Sequence, residues 1–185
     1  GAMAAALGLV VGLPSLRIKG LYLAVATLAT QLLLVYIFRE WESVTGGVRG
    51  VNVPNESLFG FELKNDARMY FLIVPVAAAL LIGARNLFRT RVGRAFIAIR
   101  DKDISAEVLG IDLLRYKLAS FAIGSFYAGV AGALWGFIRL GAWEPLAFNV
   151  NLSLNLLFMI IIGGMGSLLG SYFGAAFIVI LPILL

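Results

Sequence analysis

Ser125 and Ser167 both lie in glycine-rich stretches, where a hydroxyl nucleophile is easily exposed. A serine needs a neighbouring base to attack anything. The chain has no histidine and no cysteine, and Lys19, Lys64, Lys102 and Lys117 all fall in polar stretches away from both serines. Thiol chemistry, disulfides, zinc clusters and histidine general bases drop out with those residues. No Gly-x-x-x-x-Gly-Lys-Ser/Thr phosphate loop occurs. The expectation is a chain with no catalytic residues, no metal and no cofactor of its own, and an intramembrane enzyme is the weaker rival.

The remaining candidate is mechanical. Asp103 can cap a helix by accepting a bond from an orphan N–H. Gly110 suits the position just past a helix end, where φ must be positive. Between them lies about one and a half turns, with Ile104, Val108 and Ile111 on one face at i, i+4 and i+7. Ala106 and Glu107 lie within it. The spacing predicts a short capped helix with an apolar side, set in a charged stretch at 85–117.

Apolar segments must hold that stretch in place. The chain is 61% hydrophobic over 185 residues, against roughly 45–50% in soluble domains. The reading is an all-α polytopic transmembrane helical bundle. It forms one domain over 1–185, read as truncated at both ends because it opens at Gly1-Ala2-Met3 and stops at Leu185 within an apolar run. Residues 1–13 are apolar but shorter than the roughly 20 residues a crossing needs. Spans are expected at 20–38, 69–84 and 118–138. Apolar runs at 152–162 and 172–185 flank Gly163-Gly-Met-Gly-Ser167, which reads either as a tight turn or as a broken helix facing a cavity. Ser120, Gly124, Ala128, Gly132 and Gly136 form one small-residue ladder, and Gly166, Gly170 and Gly174 a second, both suited to close helix packing. Asn55-Glu-Ser57 matches a glycosylation acceptor by chance.

Charge sets the orientation. Stretch 85–117 carries eight Lys or Arg, and 39–68 carries four. Counting basic residues places 85–117 in the cytoplasm. Alternation then places 39–68 and 139–151 on the periplasmic side, and Arg17 and Lys19 inside. The net charge of +5 belongs to topology; no aromatic-basic face suggests nucleic acid.

The sequence resembles the permease subunits of bacterial branched-chain amino acid ABC importers, the LivM type. The matching stretches run in order along nearly the whole chain. They are Leu16-Arg-Ile-Lys-Gly20-Leu-Tyr22-Leu-Ala-Val-Ala-Thr27-Leu-Ala, Thr45-Gly-Gly47, Arg91-Val-Gly-Arg94-Ala-Phe-Ile-Ala-Ile-Arg100, Ala106-Glu107-Val-Leu-Gly110-Ile, Tyr116-Lys117-Leu, Ala128-Gly-Val-Ala-Gly-Ala-Leu134 and Gly163-Gly-Met-Gly-Ser167-Leu-Leu-Gly170.

The resemblance implies an ABC importer permease with a cytoplasmic coupling helix, in the bacterial inner (plasma) membrane. Its partners would be two cytosolic ATPase subunits that bind ATP and Mg, a second related permease subunit, a periplasmic substrate-binding protein and the lipid bilayer. In that family the loop carries Glu-Ala-Ala-x-x-x-Gly. Here the register ending at Gly110 reads Ile104-Ser105-Ala106-x-x-x-Gly110, without the leading glutamate, and Glu107 lies nearby. The implied ATPase-coupling residues are Asp103, Ile104, Ala106, Glu107, Val108, Gly110 and Ile111. Candidates for the substrate path are Tyr22, Thr27, Gln31, Ser125, Gly163, Gly164 and Gly166. Permeases for urea or another small solute share the architecture and are the alternative; a membrane scaffold is a further one.

Overall fold

The computed structural model describes residues 1–15, 21–42, 51–52, 57–58, 61–62, 66–136, 142–143, 147–164 and 166–184. Arg17, Lys19, Thr45, Gly46, Gly47, Arg49 and Lys64 lie outside the described residues. Chain order is α1 (Ala2–Ser15), α2 (Leu21–Glu40), β1 (Val51–Asn52), β2 (Ser57–Leu58), β3 (Phe61–Glu62), α3 (Asp66–Arg89), α4 (Arg91–Asp101), α5 (Asp103–Val108), α6 (Leu113–Trp135), β4 (Ala142–Trp143), α7 (Val150–Gly163) and α8 (Leu168–Leu184). Among the described residues the architecture is helical apart from strands of two residues each.

Met69–Arg89 and Leu113–Trp135 are long and apolar enough to cross a bilayer. α2 has the 20 residues a crossing needs. Two expected spans come out longer. α3 runs on past residue 84 to Arg89, because no helix breaker intervenes and arginine heads can reach outward from a helix end. α6 starts at Leu113 rather than 118, because Asp112 caps it: its carboxylate accepts from the Arg115 N–H at 3.2 Å and pairs with the Arg115 guanidinium at 2.9 Å.

Among the described residues the buried apolar side chains are Ala95 and Ala106. Large apolar side chains such as Leu33, Phe71, Phe158 and Phe173 stand exposed along the long helices. A soluble domain would bury them; here lipid or further helices must cover them.

Two seams organise the bundle, and both depend on small residues. α1 packs antiparallel on α6, with Gly8 against Ser125, Gly12 against Phe121 and Ala4 against Gly129. The expected ladder on α6 does not form this seam: Gly124 has open space around it, and Gly132 meets only Phe148, at 3.7 Å. The close approach is made mostly by glycines of α1, which select the neighbouring face of α6. The second ladder behaves as expected at two of its positions. Gly170 packs on the Gly163 carbonyl and Gly174 on the Met159 carbonyl, so α7 and α8 form a tight antiparallel hairpin.

α3 joins through one polar bond. The Tyr127 hydroxyl of α6 donates to the Leu80 carbonyl at 3.1 Å, and a Cβ at Gly83 would lie 3.2 Å from that hydroxyl. Tyr127→Phe should lower stability by about 0.6 kcal/mol, the average for a bond between membrane helices, with the fold kept. Unfolding of the full-length protein in detergent micelles would measure it.

The ends of the bundle are also tied. β1 pairs antiparallel with β4, Val51 opposite Trp143 and Asn52 opposite Ala142. The stretches after α2 and after α6 therefore meet at one end. At the other end Arg100 of α4 meets Gly166, in the turn between α7 and α8.

Candidate functional site

The charged stretch holds two helices where the sequence predicted one. α4 is the additional helix, and Thr90 starts it: its hydroxyl accepts from the Gly93 N–H at 3.3 Å and donates to the Leu87 carbonyl at 2.7 Å. Gly93 lies against the Leu87 carbonyl and the Phe88 backbone, so the elbow between α3 and α4 has no room for a side chain there. Ala95 is buried, and Val92, Phe96 and Ile99 are half-buried. Phe96 meets Tyr116 of α6 edge to face, with centroids 6.1 Å apart. Arg91, Arg94, Ile97 and Arg100 face outward.

α5 follows after Lys102. Lys102, in extended conformation, occupies the cap position expected for Asp103. Asp103 is the first helical residue, and its carboxylate accepts from the Ile104 N–H at 2.9 Å. The C-terminal end is as the sequence predicts. Gly110 has φ of 81°, its N–H donates to Glu107, and the Ile111 N–H donates to Ala106. These two bonds are the Schellman pattern, which satisfies carbonyls the helix leaves open. A Cβ at Gly110 would meet nothing within 4 Å, so Gly110→Ala has only a conformational cost, about 1–2 kcal/mol. Faster amide exchange at Ala106 to Ile111 would show it.

The faces of α5 differ sharply. Ala106 is 2% exposed and points into the fold, while Ile104 is 74%, Val108 83% and Leu109 78% exposed. Glu107 is exposed beside them and Ile111 is half-buried. Leu109 was not among the sequence candidates because it falls off the i, i+4, i+7 face of Ile104, Val108 and Ile111; its apolar type next to the glycine cap was the available signal. Burying each of the three exposed residues would contribute about 1.5–3 kcal/mol. Nothing in the chain covers them among the described residues.

The path candidates separate into groups. Gly163, Gly164 and Gly166 lie together where α7 ends and α8 begins. Gly164 has φ of 92° and Gly166 of 101°, and the Ser167 hydroxyl caps α8 by accepting from the Gly170 N–H at 3.1 Å. The segment stands between two separate helices, α7 and α8. α7 has 14 residues and is about 21 Å long, less than a full hydrocarbon crossing of about 30 Å.

Gln31 reaches the same hairpin. Its side-chain oxygen accepts from the Ser153 hydroxyl of α7 at 3.1 Å. Ser153 was not a sequence candidate. Gln31 lies about 15 Å along α2 from Leu21, so the pair sits near the middle of that helix. Tyr22 and Thr27 are exposed on α2. Ser125 faces α1 instead, within the seam at Gly8. A cavity of about 390 Å³ opens between α1, α3 and α6, lined by Ala5, Gly83, Leu87, Ala122, Phe126 and Tyr127 among others. None of the path candidates lines it.

Among the described residues no three His, Cys, Asp or Glu side chains converge as a metal site would require.

Known proteins resemble this chain throughout. The high-affinity branched-chain amino acid transport system permease protein LivM of Escherichia coli (strain K12) is 31% identical over 191 residues, covering 90% of this chain and 45% of that protein. The autoinducer 2 import system permease protein LsrC of Klebsiella pneumoniae is 32% identical over 189 residues, covering 96% of this chain and 51% of that one. The xylose transport system permease protein XylH of Escherichia coli (strain K12) is 35% identical over 120 residues, covering 61% of this chain and 30% of that one. The chain spans about half the length of the first of these relatives. No solved structure matches it. The family model described as branched-chain amino acid transport system / permease component matches residues 1–185, and by that full-length match the chain belongs to this family of membrane permeases.

Proposed function

We propose that this chain forms part of the transmembrane pathway of a bacterial ABC importer for branched-chain amino acids, in the inner membrane. The observation that carries the reading is the outward apolar side of α5, Ile104, Val108 and Leu109, on a capped helix seated through buried Ala106. Such a surface suits docking into a cleft of a cytosolic ATPase subunit. Asp103, Glu107, Gly110 and Ile111 complete the coupling element. Two such ATPases would bind ATP and Mg and supply the force. A second permease subunit would complete the path, and a periplasmic binding protein would deliver cargo.

In this reading 85–117 is cytoplasmic and 39–68 periplasmic. The basic charge of the former and the β1–β4 pairing at the opposite end from Arg100 and Gly166 support it. Movement is then a rigid-body shift between outward-open and inward-open arrangements. Tyr22, Thr27, Gln31 and the Gly163–Gly166 turn are the proposed path residues, with Ser125 the least suited because of its place in the seam. A sugar-type or other small-solute cargo is the second reading, favoured by the likeness to the xylose and autoinducer 2 permeases.

The test is uptake of radiolabelled leucine by the full-length protein with its partner subunits in proteoliposomes. Unlabelled isoleucine and valine should compete, while urea and xylose should not. Absence of leucine uptake, or displacement by urea or xylose, would overturn the cargo.

A further inference from the structure

Arg100 and Gly166 are far apart in sequence, yet the Arg100 guanidinium occupies the space where a Gly166 side chain would stand. The two sides of that guanidinium have different partners. Nε and Nη2 are each 3.1 Å from the Asp101 carboxylate, and Nη1 is the atom against Gly166. Gly166 has φ of 101°, a conformation that itself favours glycine.

The bodies on either side of this contact are each well held together. α4 and α5 are separated by Lys102 alone and seated through Gly93, Ala95 and Ala106. α7 and α8 are locked by backbone contact at Gly163, Gly170 and Gly174. Arg100, at the end of α4 and 59% exposed in its side chain, is thus the side chain that lies between the α4–α5 stretch and the turn of the α7–α8 hairpin. α7 carries Ser153, the partner of Gln31 near the middle of α2.

We propose that Arg100 is a positioning residue, the strut through which displacement of the α4–α5 stretch is handed to the α7–α8 hairpin. This rests on the coupling role proposed for α5. A role in folding alone would leave nucleotide-driven movement of the hairpin unchanged once the protein is assembled.

The experiment uses the full-length protein assembled with its ATPase subunits in nanodiscs. Spin labels go on Tyr36 of α2 and Tyr172 of α8, both exposed, and their separation is measured with and without ATP. A cysteine at Glu107 reports docking by cross-linking to the ATPase. The expected result is a nucleotide-dependent change in separation that Arg100→Gln removes while the Glu107 cross-link persists. Uptake should fall about tenfold, within the usual range of coupling energies. Arg100→Lys keeps the charge but not the planar fork, so it should retain part of the change; it serves as the readout if Arg100→Gln fails to assemble. Full movement in either variant would overturn the proposal, as would a hairpin that does not move in the unmutated protein. Loss of the cross-link in the unmutated protein would instead sink the coupling role of α5.

Discussion

Gly170→Leu is expected to destabilise the full-length protein by about 3 kcal/mol, the upper end of overpacking costs. A Cβ at residue 170 would run into the Gly163 carbonyl, and one at 163 into the Gly170 carbonyl. Both obstacles are backbone, so no side-chain rotation relieves them. Gly174 makes the same kind of approach to Met159. The variant should lose the α7–α8 hairpin first and show a lower unfolding midpoint in detergent. An unchanged midpoint would mean the two helices are not packed this way.

The second large effect lies on α5. Changing Val108 and Leu109 to aspartate should weaken ATPase association by about 2 kcal/mol or more for each, the scale of an interface hot spot. That is about thirtyfold per residue. The chain's own stability should hardly change, because both side chains are largely exposed within it. Titration of the ATPase subunit onto nanodisc-embedded protein separates the two effects. Unaltered affinity in the double variant would remove the apolar side of α5 from the interface.

The features legible in the sequence were those carried by a single residue type. Gly110 suits a helix end, where the cap needs positive φ, and it has that φ. Gly170 and Gly174 read as a close seam because only small residues permit that approach. Span ends were harder. Hydropathy fades at residue 84 while α3 continues to Arg89, since helical hydrogen bonds do not stop where side chains become charged. α4 has the helical spacing of Val92, Ala95, Phe96 and Ile99, but the four arginines Arg89, Arg91, Arg94 and Arg100 among them mark the same stretch equally well as a charged loop.

Other features depended on the partner helix. Small residues line several faces of α6, so the face that packs is chosen by the glycines of α1, and no inspection of α6 alone reveals it. The Gln31–Ser153 bond and the Arg100–Gly166 contact join residues remote in sequence. Neither has a local signature, and both require the bundle to be assembled before they exist.

The coupling role proposed for α5 can be read by cross-linking at its exposed side. This chain has no cysteine, so a cysteine placed at exposed Glu107 gives one reactive site within it. The full-length protein is co-expressed with its ATPase subunit and cross-linked with and without nucleotide. A cross-link whose yield changes with nucleotide is the predicted result. Absence of any cross-link at Glu107, and at Ser105 and Ile111 beside it, would contradict the account.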